Sequence, residues 1–309
     1  VRVIAPGKLV LTGAYAVLEG APAIVAAVDR YAVVDTQSPG KVDVRALHDE
    51  TGQKLGLGSS ASSIVASFGA RALARGDDPR HAAVRSEIFR AARDAHQRQQ
   101  GGGSGVDIAA SVHGGVLRYT VLRAASPSSS RAPAPADARL ATTQGSGAAR
   151  RVETAIHAVD MPPGLVLAAF WSGTSARTSE LLARVDALRA RGGAVAVFTA
   201  LRDVAEEAAD AIGDASRFVT RAAAFGRALA ALGDAADAPI VPPAFAELAA
   251  LAERQGAAFF PSGAGGGDVA VWLGVDPPSS AFTARATVLS LTPLAIAIDH
   301  GGVRPESRS

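Results

Sequence analysis

The sequence predicts an α+β protein in two halves, 1–160 and 161–309. Three observations predict it. Short apolar, β-branched stretches alternate with helical ones as far as residue 123. A Ser/Pro/Ala/Gly-rich passage, 124–150, then interrupts the pattern. Beyond it an Ala- and Leu-rich helical region, 176–255, is followed by further short strands.

Residues 2–4 and 9–12 read as strands around a break at Ala5-Pro6-Gly7, and 23–36 as a longer apolar strand. Ser59 to Arg75 reads as a helix with Ile64, Val65, Phe68 and Leu73 near one face and Gly76 as its stop. Asp78-Pro79 has the form of an N-cap with Pro at N1, predicting a second helix to Gln99. The glycines of 101–105 end that helix, and Val116 to Arg123 reads as a strand. The 124–150 passage has almost no large apolar residue and is expected to be a loop or linker. Val152 to Ala158, Leu165 to Trp171, 257–260, 269–273 and 293–298 read as strands, with a helix over 279–289. No repeat period is evident.

The chain has 309 residues, 48% of them hydrophobic and 19% charged, which fits a folded chain with a sizeable core and excludes a disordered one. Lys and Arg total 31 against 29 Asp and Glu, and the two signs are interspersed along the helical stretches. That pattern reads as solvated helix faces, so no nucleic-acid partner is expected. No apolar run is long enough to span a bilayer, so no membrane partner is expected either. With no cysteine there is no thiolate metal site, disulfide framework or Cys nucleophile. No basic and apolar leader opens the chain, and a cytoplasmic location is expected.

Three glycine-rich stretches sit at element boundaries. The first, Gly56-Leu57-Gly58-Ser59-Ser60-Ala61, opens a helix. Its glycines let backbone approach a ligand, and a helix N-terminus suits phosphate; the plainer alternative is a turn and N-cap. The string also satisfies the loose dinucleotide fingerprint, but the polar residues 45–54 before it do not read as the buried strand which that unit needs. The second stretch leads through Ser104 and Gly105 to Asp107, a ligand-facing carboxylate or a helix cap. The third, Ser262-Gly263-Ala264-Gly265-Gly266-Gly267-Asp268, holds more glycines than a simple turn needs, which favours a loop that hugs a ligand.

Taken with Ala5-Pro6-Gly7-Lys8, these loops resemble the ordered signature of the GHMP kinases. The three motifs read APGKLVLTGAYAVLEGAPA (5–23), KLGLGSSAS (54–62) and SGAGGGDVAVWLG (262–274). GSGVDIAASVHGG (103–115) and FWSGTSARTSELL (170–182) resemble segments of the phosphomevalonate kinase branch. The resemblance implies an N-terminal domain like ribosomal protein S5 domain 2, a ferredoxin-like C-terminal domain and a site between them. It implies ATP and Mg²⁺ as cofactors, with Gly56, Leu57, Gly58, Ser59, Ser60 and Ala61 holding the ATP phosphates and Ser60 the metal. Asp107 and Lys8 would be catalytic. Lys8, Tyr15, Ser104, Gly105, Ser262, Gly263, Ala264, Gly265, Gly266 and Asp268 would line the acceptor. The implied partner is a small-molecule phosphate or hydroxyl acceptor, on a monomer or homodimer.

The implied reaction is conversion of 5-phosphomevalonate to the 5-diphosphate. The rivals are mevalonate or another hydroxyl as acceptor, and a nucleotide-binding relative without turnover. Three departures bear on this. Ala14 stands where the family usually has Glu, and few residues separate Ala23 from Lys54, as if chain were missing near 48–54. Relatives carry a metal-binding Glu upstream of the Asp107 motif, and none is assigned here. His96 lies near that slot and is read as a helix-surface residue or one behind the site, rather than a ligand.

Overall fold

The computed structural model describes residues 1–38, 40–100, 103–122, 153–175, 178–192 and 194–307. The 124–150 passage, Gly101, Gly102 and residues 176–177 of the Trp171 segment lie outside the described residues. The chain is a mixed α+β fold with two sheets, as the sequence predicts.

The first sheet collects β1 (Arg2–Thr12), β2 (Ala23–Asp35), β3 (Val42–Asp43), β4 (Val116–Leu122) and β5 (Glu153–Val159). Three helices accompany it, α1 (Ser59–Ala74), α2 (Ala82–Gln100) and α3 (Val106–His113). The second sheet collects β6 (Val166–Trp171), β7 (Ala258–Pro261), β8 (Val269–Gly274) and β9 (Thr292–Leu294). Between and after these strands come α4 (Thr178–Ala190), α5 (Val195–Asp210), α6 (Ala215–Ala236), α7 (Pro243–Glu253) and α8 (Ser280–Val288). A last short strand, β10 (Arg304–Pro305), returns to the first sheet, whose order is β10-β1-β2-β4-β5 with β3 on β2; the second is β7-β8-β6-β9. Every pairing is antiparallel.

The expected break at Ala5-Pro6-Gly7 is a bulge inside one continuous strand. Pro6 pairs with Tyr31 and Gly7 with Val28, so two residues of β2 are extra at that point. The bulge turns the Pro6 carbonyl out of the ladder, and the hydroxyls of Ser62 on α1 and Ser111 on α3 donate to it at 2.9 and 2.6 Å. Gly7 is required there: a Cβ would stand 2.7 Å from the Leu57 carbonyl and 2.9 Å from Leu47.

The α1 helix buries a face that shares only Val65 with the expected one. Ala61, Ser62, Val65, Ala66, Gly69 and Ala70 face the core, while Ile64, Phe68 and Leu73 are only partly buried. The cause is distance: a Cβ on Gly69 would lie 2.6 Å from Val303 and 3.0 Å from Val3, so no side chain fits at that position without a shift. Asp78-Pro79 does not cap α2. The Asp78 carboxylate is taken by the Arg80 N–H and guanidinium in a turn that ends at His81, and the helix starts at Ala82. Residues 48–54 form a tight closed turn. His48 bridges Lys54, Asp49 N–H donates to the Gln53 carbonyl, and the Asp49 carboxylate accepts from the Thr51 and Gln53 N–H groups. Among the described residues no helix is long and apolar enough to cross a membrane.

Candidate active site

Lys8 follows the β1 bulge and is 9% exposed, which rules out a surface lysine. Its N–H donates to the Leu57 carbonyl at 2.8 Å, and Nζ donates to the Gly56 carbonyl at 3.4 Å. Gly58 makes room for the stem, since a Cβ there would stand 3.0 Å from Lys8 Cγ. Burial pulls the Lys8 pKa down, and the carboxylates of Asp107 and Asp268 oppose that shift. One ammonium therefore sits in the field of two carboxylates drawn from two different motifs.

Gly58 takes the left-handed conformation at φ 81° and precedes the first turn of α1, where no side chain caps the end. The positive end of the helix dipole is thereby open to an anion. Ser59 is buried and Ser60 is half-buried at that end. The neighbouring α3 also starts after a left-handed glycine, Gly105, again without a side-chain cap, and carries Asp107 in its first turn. Asp107 Oδ1 accepts the Ile108 N–H at 3.0 Å. Behind this turn the buried Tyr119 hydroxyl donates to the Ser104 carbonyl, and burial pushes its pKa up to about 12.

The third loop is closed by Ser262 N–H donating to the Val269 carbonyl. It is tied to the first motif twice. Ser262 Oγ accepts the Val10 N–H at 2.8 Å, and the Tyr15 hydroxyl donates to the Ala264 carbonyl at 2.7 Å. Gly265 and Gly266 pass directly over Ile240, whose carbonyl accepts the Gly266 N–H at 2.9 Å. Asp268, at φ 56°, presses against Gly56, where any Cβ would collide with it. Its backbone joins Ser172 and Thr174, and the Ser175 hydroxyl reaches its carboxylate at 3.5 Å.

The structure thus brings Lys8, the Gly56–Ala61 loop, Asp107, Gly263 and Asp268 to one place. Tyr15, Ser262 and Ala264 act as ties between motifs, and Ser104 and Gly105 form the turn before Asp107. Sequence reasoning missed Ser62 and Ser111, which pin both helices to Pro6, and Thr174 and Ser175 beside Asp268. His96 is not on the helix surface: it is 5% exposed, and its Nε2 lies 3.8 Å from Asp107 Oδ2. Ala14 is buried in the core and contributes no polar contact from its side chain.

No group of three or more His, Cys, Asp or Glu side chains able to hold a metal occurs among the described residues. An all-protein metal cage is therefore absent from them. Two surface hollows, about 430 Å³ around Arg2, Asp35 and Lys41 and about 250 Å³ beside Arg189 and Phe198, are lined by none of these residues.

Residues 23–115 match the GHMP kinases N terminal domain. The chain is 31% identical over 231 residues to a phosphomevalonate kinase of Streptomyces sp. strain CL190, covering 74% of this chain and 59% of that protein. It therefore spans less than two thirds of the curated relative's length. Among solved structures it superposes on the Lin0012 protein of Listeria innocua with a TM-score of 0.77 at 22% identity, covering 98% of each chain. Streptococcus pneumoniae phosphomevalonate kinase, in complex with phosphomevalonate and AMPPNP, gives 0.71 at 17% identity, covering 96% of this chain and 99% of that one. Residues 23–115 are thus similar to the GHMP kinases N terminal domain, the fold is that of the solved phosphomevalonate kinase, and the chain is similar in sequence to a phosphomevalonate kinase.

Proposed function

We propose that the protein is a cytoplasmic, ATP- and Mg²⁺-dependent kinase that converts 5-phosphomevalonate to 5-diphosphomevalonate in isoprenoid synthesis. The observation that carries this reading is the meeting, at the buried Lys8, of the uncapped α1 terminus with Asp107 and Asp268. Gly56 to Ala61 hold the ATP phosphates, the glycines admitting them to the backbone and the helix end supplying positive potential. Bound Mg²⁺ would neutralise phosphate charge, with Ser60 as its protein ligand.

An oxygen of the acceptor's phosphate attacks the γ-phosphorus of ATP as the bond to ADP breaks. Such transfer depends on positioning and charge neutralisation more than on covalent help from the protein. Lys8 supplies a compact point charge, held in place by the carbonyl of Gly56. Ser104, Gly105 and the 262–266 loop line the acceptor. A phosphate monoester has a second pKa of about 6 and is mostly deprotonated at neutral pH, so Asp107 orients rather than abstracts.

The test is ATP consumption with phosphomevalonate and with mevalonate, before and after Asp107→Asn. Phosphomevalonate is expected to be preferred, and the substitution to slow it about tenfold, below the 10²–10⁴ of a lost general base. Preference for mevalonate with the full general-base loss would move the assignment to a hydroxyl kinase. Nucleotide binding without turnover of any acceptor would favour a non-catalytic relative.

A further inference from the structure

The α2 helix lays two consecutive turns on the loop before α3. Arg93 packs under Gly105, where a Cβ would stand 2.9 Å from its Cδ. One turn further on, His96 lies behind Asp107. Its ring is shut off from solvent, and Nε2 has no hydrogen-bond partner. A buried polar nitrogen without a partner costs about 1–3 kcal/mol, so its presence calls for an explanation. The charged group it faces is Asp107, whose Oδ2 is 3.8 Å away. The other oxygen, Oδ1, is occupied by the Ile108 N–H.

We infer that His96 is the positioning residue of Asp107: Nε2–H donates to Oδ2 and fixes the carboxylate's rotation toward Lys8. The proposal rests on the kinase reading for its effect on turnover, but the hydrogen bond itself does not. Closure of roughly 0.7–1 Å converts the observed separation into a hydrogen bond of ordinary length. Active-site hydrogen bonds that are long without ligands commonly tighten when ligands bind. With both carboxylate oxygens engaged, one by backbone and one by imidazole, Asp107 keeps a single orientation beside the reacting phosphates.

Two measurements on the full chain test this. In the first, the histidine side-chain N–H signals of the ¹⁵N-labelled protein are recorded with AMPPNP and Mg²⁺ present. A slowly exchanging His96 Nε2–H, assigned by its loss in His96→Gln, is expected, and it should become fast-exchanging in Asp107→Ala. An unprotonated Nε2, or a signal indifferent to Asp107→Ala, overturns the proposal whether or not any acceptor is turned over. The second measurement is kinetic. His96→Leu keeps the volume buried and should lower kcat by up to about tenfold, no more than Asp107→Asn itself, with KM for ATP unchanged, and His96→Gln, which keeps an N–H donor, should recover most of it. In an Asp107→Asn background His96→Leu should cost nothing further. An undiminished effect there marks His96 as a packing residue only. Absence of turnover in every variant, with the protected N–H present, defeats the kinase reading and leaves the positioning contact standing.

Discussion

The two sheets are packed by opposite means. Against the first lie Ala61, Ala66, Gly69 and Ala70 of α1 and Ala109 and Ala110 of α3, all buried and all small. Against the second lies a cluster of rings, Phe170, Phe245, Phe259, Trp272 and Phe282, none more than 2% exposed. Their centroids are 4.6–5.9 Å apart, in edge-on arrangements. The small-residue half brings backbones together, and that closeness puts Gly56 and Gly58 beside Lys8. The aromatic cluster backs the β7–β8 hairpin, whose loop carries Asp268.

The largest expected effect breaks the aromatic half. Phe282 touches Phe170, Phe259 and Trp272 and is fully buried. Phe282→Ala should cost about 3–5 kcal/mol through lost burial and the cavity left behind. Urea unfolding measures it, and a loss under about 1 kcal/mol would show that the cluster collapses freely.

The opposite change tests the other half. In a helix Ala is favoured over Gly by about 1 kcal/mol, so on propensity alone Gly69→Ala should stabilise. The added methyl meets Val303 and Val3, and overpacking of this kind costs about 1–3 kcal/mol. The expected net result is destabilisation of about 1 kcal/mol, seen as a lower urea midpoint. A higher midpoint would falsify the close-packing account.

The same contrast explains what could be read from the sequence. The glycine loops were legible because their residue types suit only a few backbone situations, and all three converge on Lys8. The strand starts at Ala23, Val116 and Val269 were legible from apolar and β-branched runs. The buried face of α1 was not: Ile64, Phe68 and Leu73 look like a core face, but proximity to β1 selects Ala and Gly instead. Asp78-Pro79 failed as a cap because Arg80 competes for the same carboxylate. The α3 helix was too short and too rich in small residues to show a period. The two-residue β10 strand was illegible, since its pairing with β1 depends on contacts made by distant residues.

Those contacts form a third kind of packing, a polar seam, and supply the smallest expected effect. Asp299 is 4% exposed. Its Oδ1 accepts the Gly301 and Gly302 N–H groups at 3.0 and 2.8 Å, and its Oδ2 accepts from Arg304 and the Tyr31 hydroxyl at 2.7 and 2.8 Å. Burial alone would raise its pKa, but the hydrogen bonds from Arg304, Tyr31 and Gly302 outweigh burial and hold it below the usual carboxylate range. A carboxyl depressed in the folded state contributes stability that is fully present above its unfolded pKa of about 3.9. That contribution is lost as pH falls through the lower folded value. Asp299→Asn keeps the shape and one acceptor but loses the charge, and should cost about 1 kcal/mol at pH 7. The difference from the unmodified protein should stay constant down to about pH 5 and shrink below about pH 4, as the native carboxyl protonates. Urea midpoints of the two proteins at pH 7, 5 and 3.5 measure this directly. A difference that persists undiminished at the lowest pH would mean that the seam is held by shape and backbone bonds, not by charge. The tail would then belong with the small-residue half, where closeness of approach decides stability.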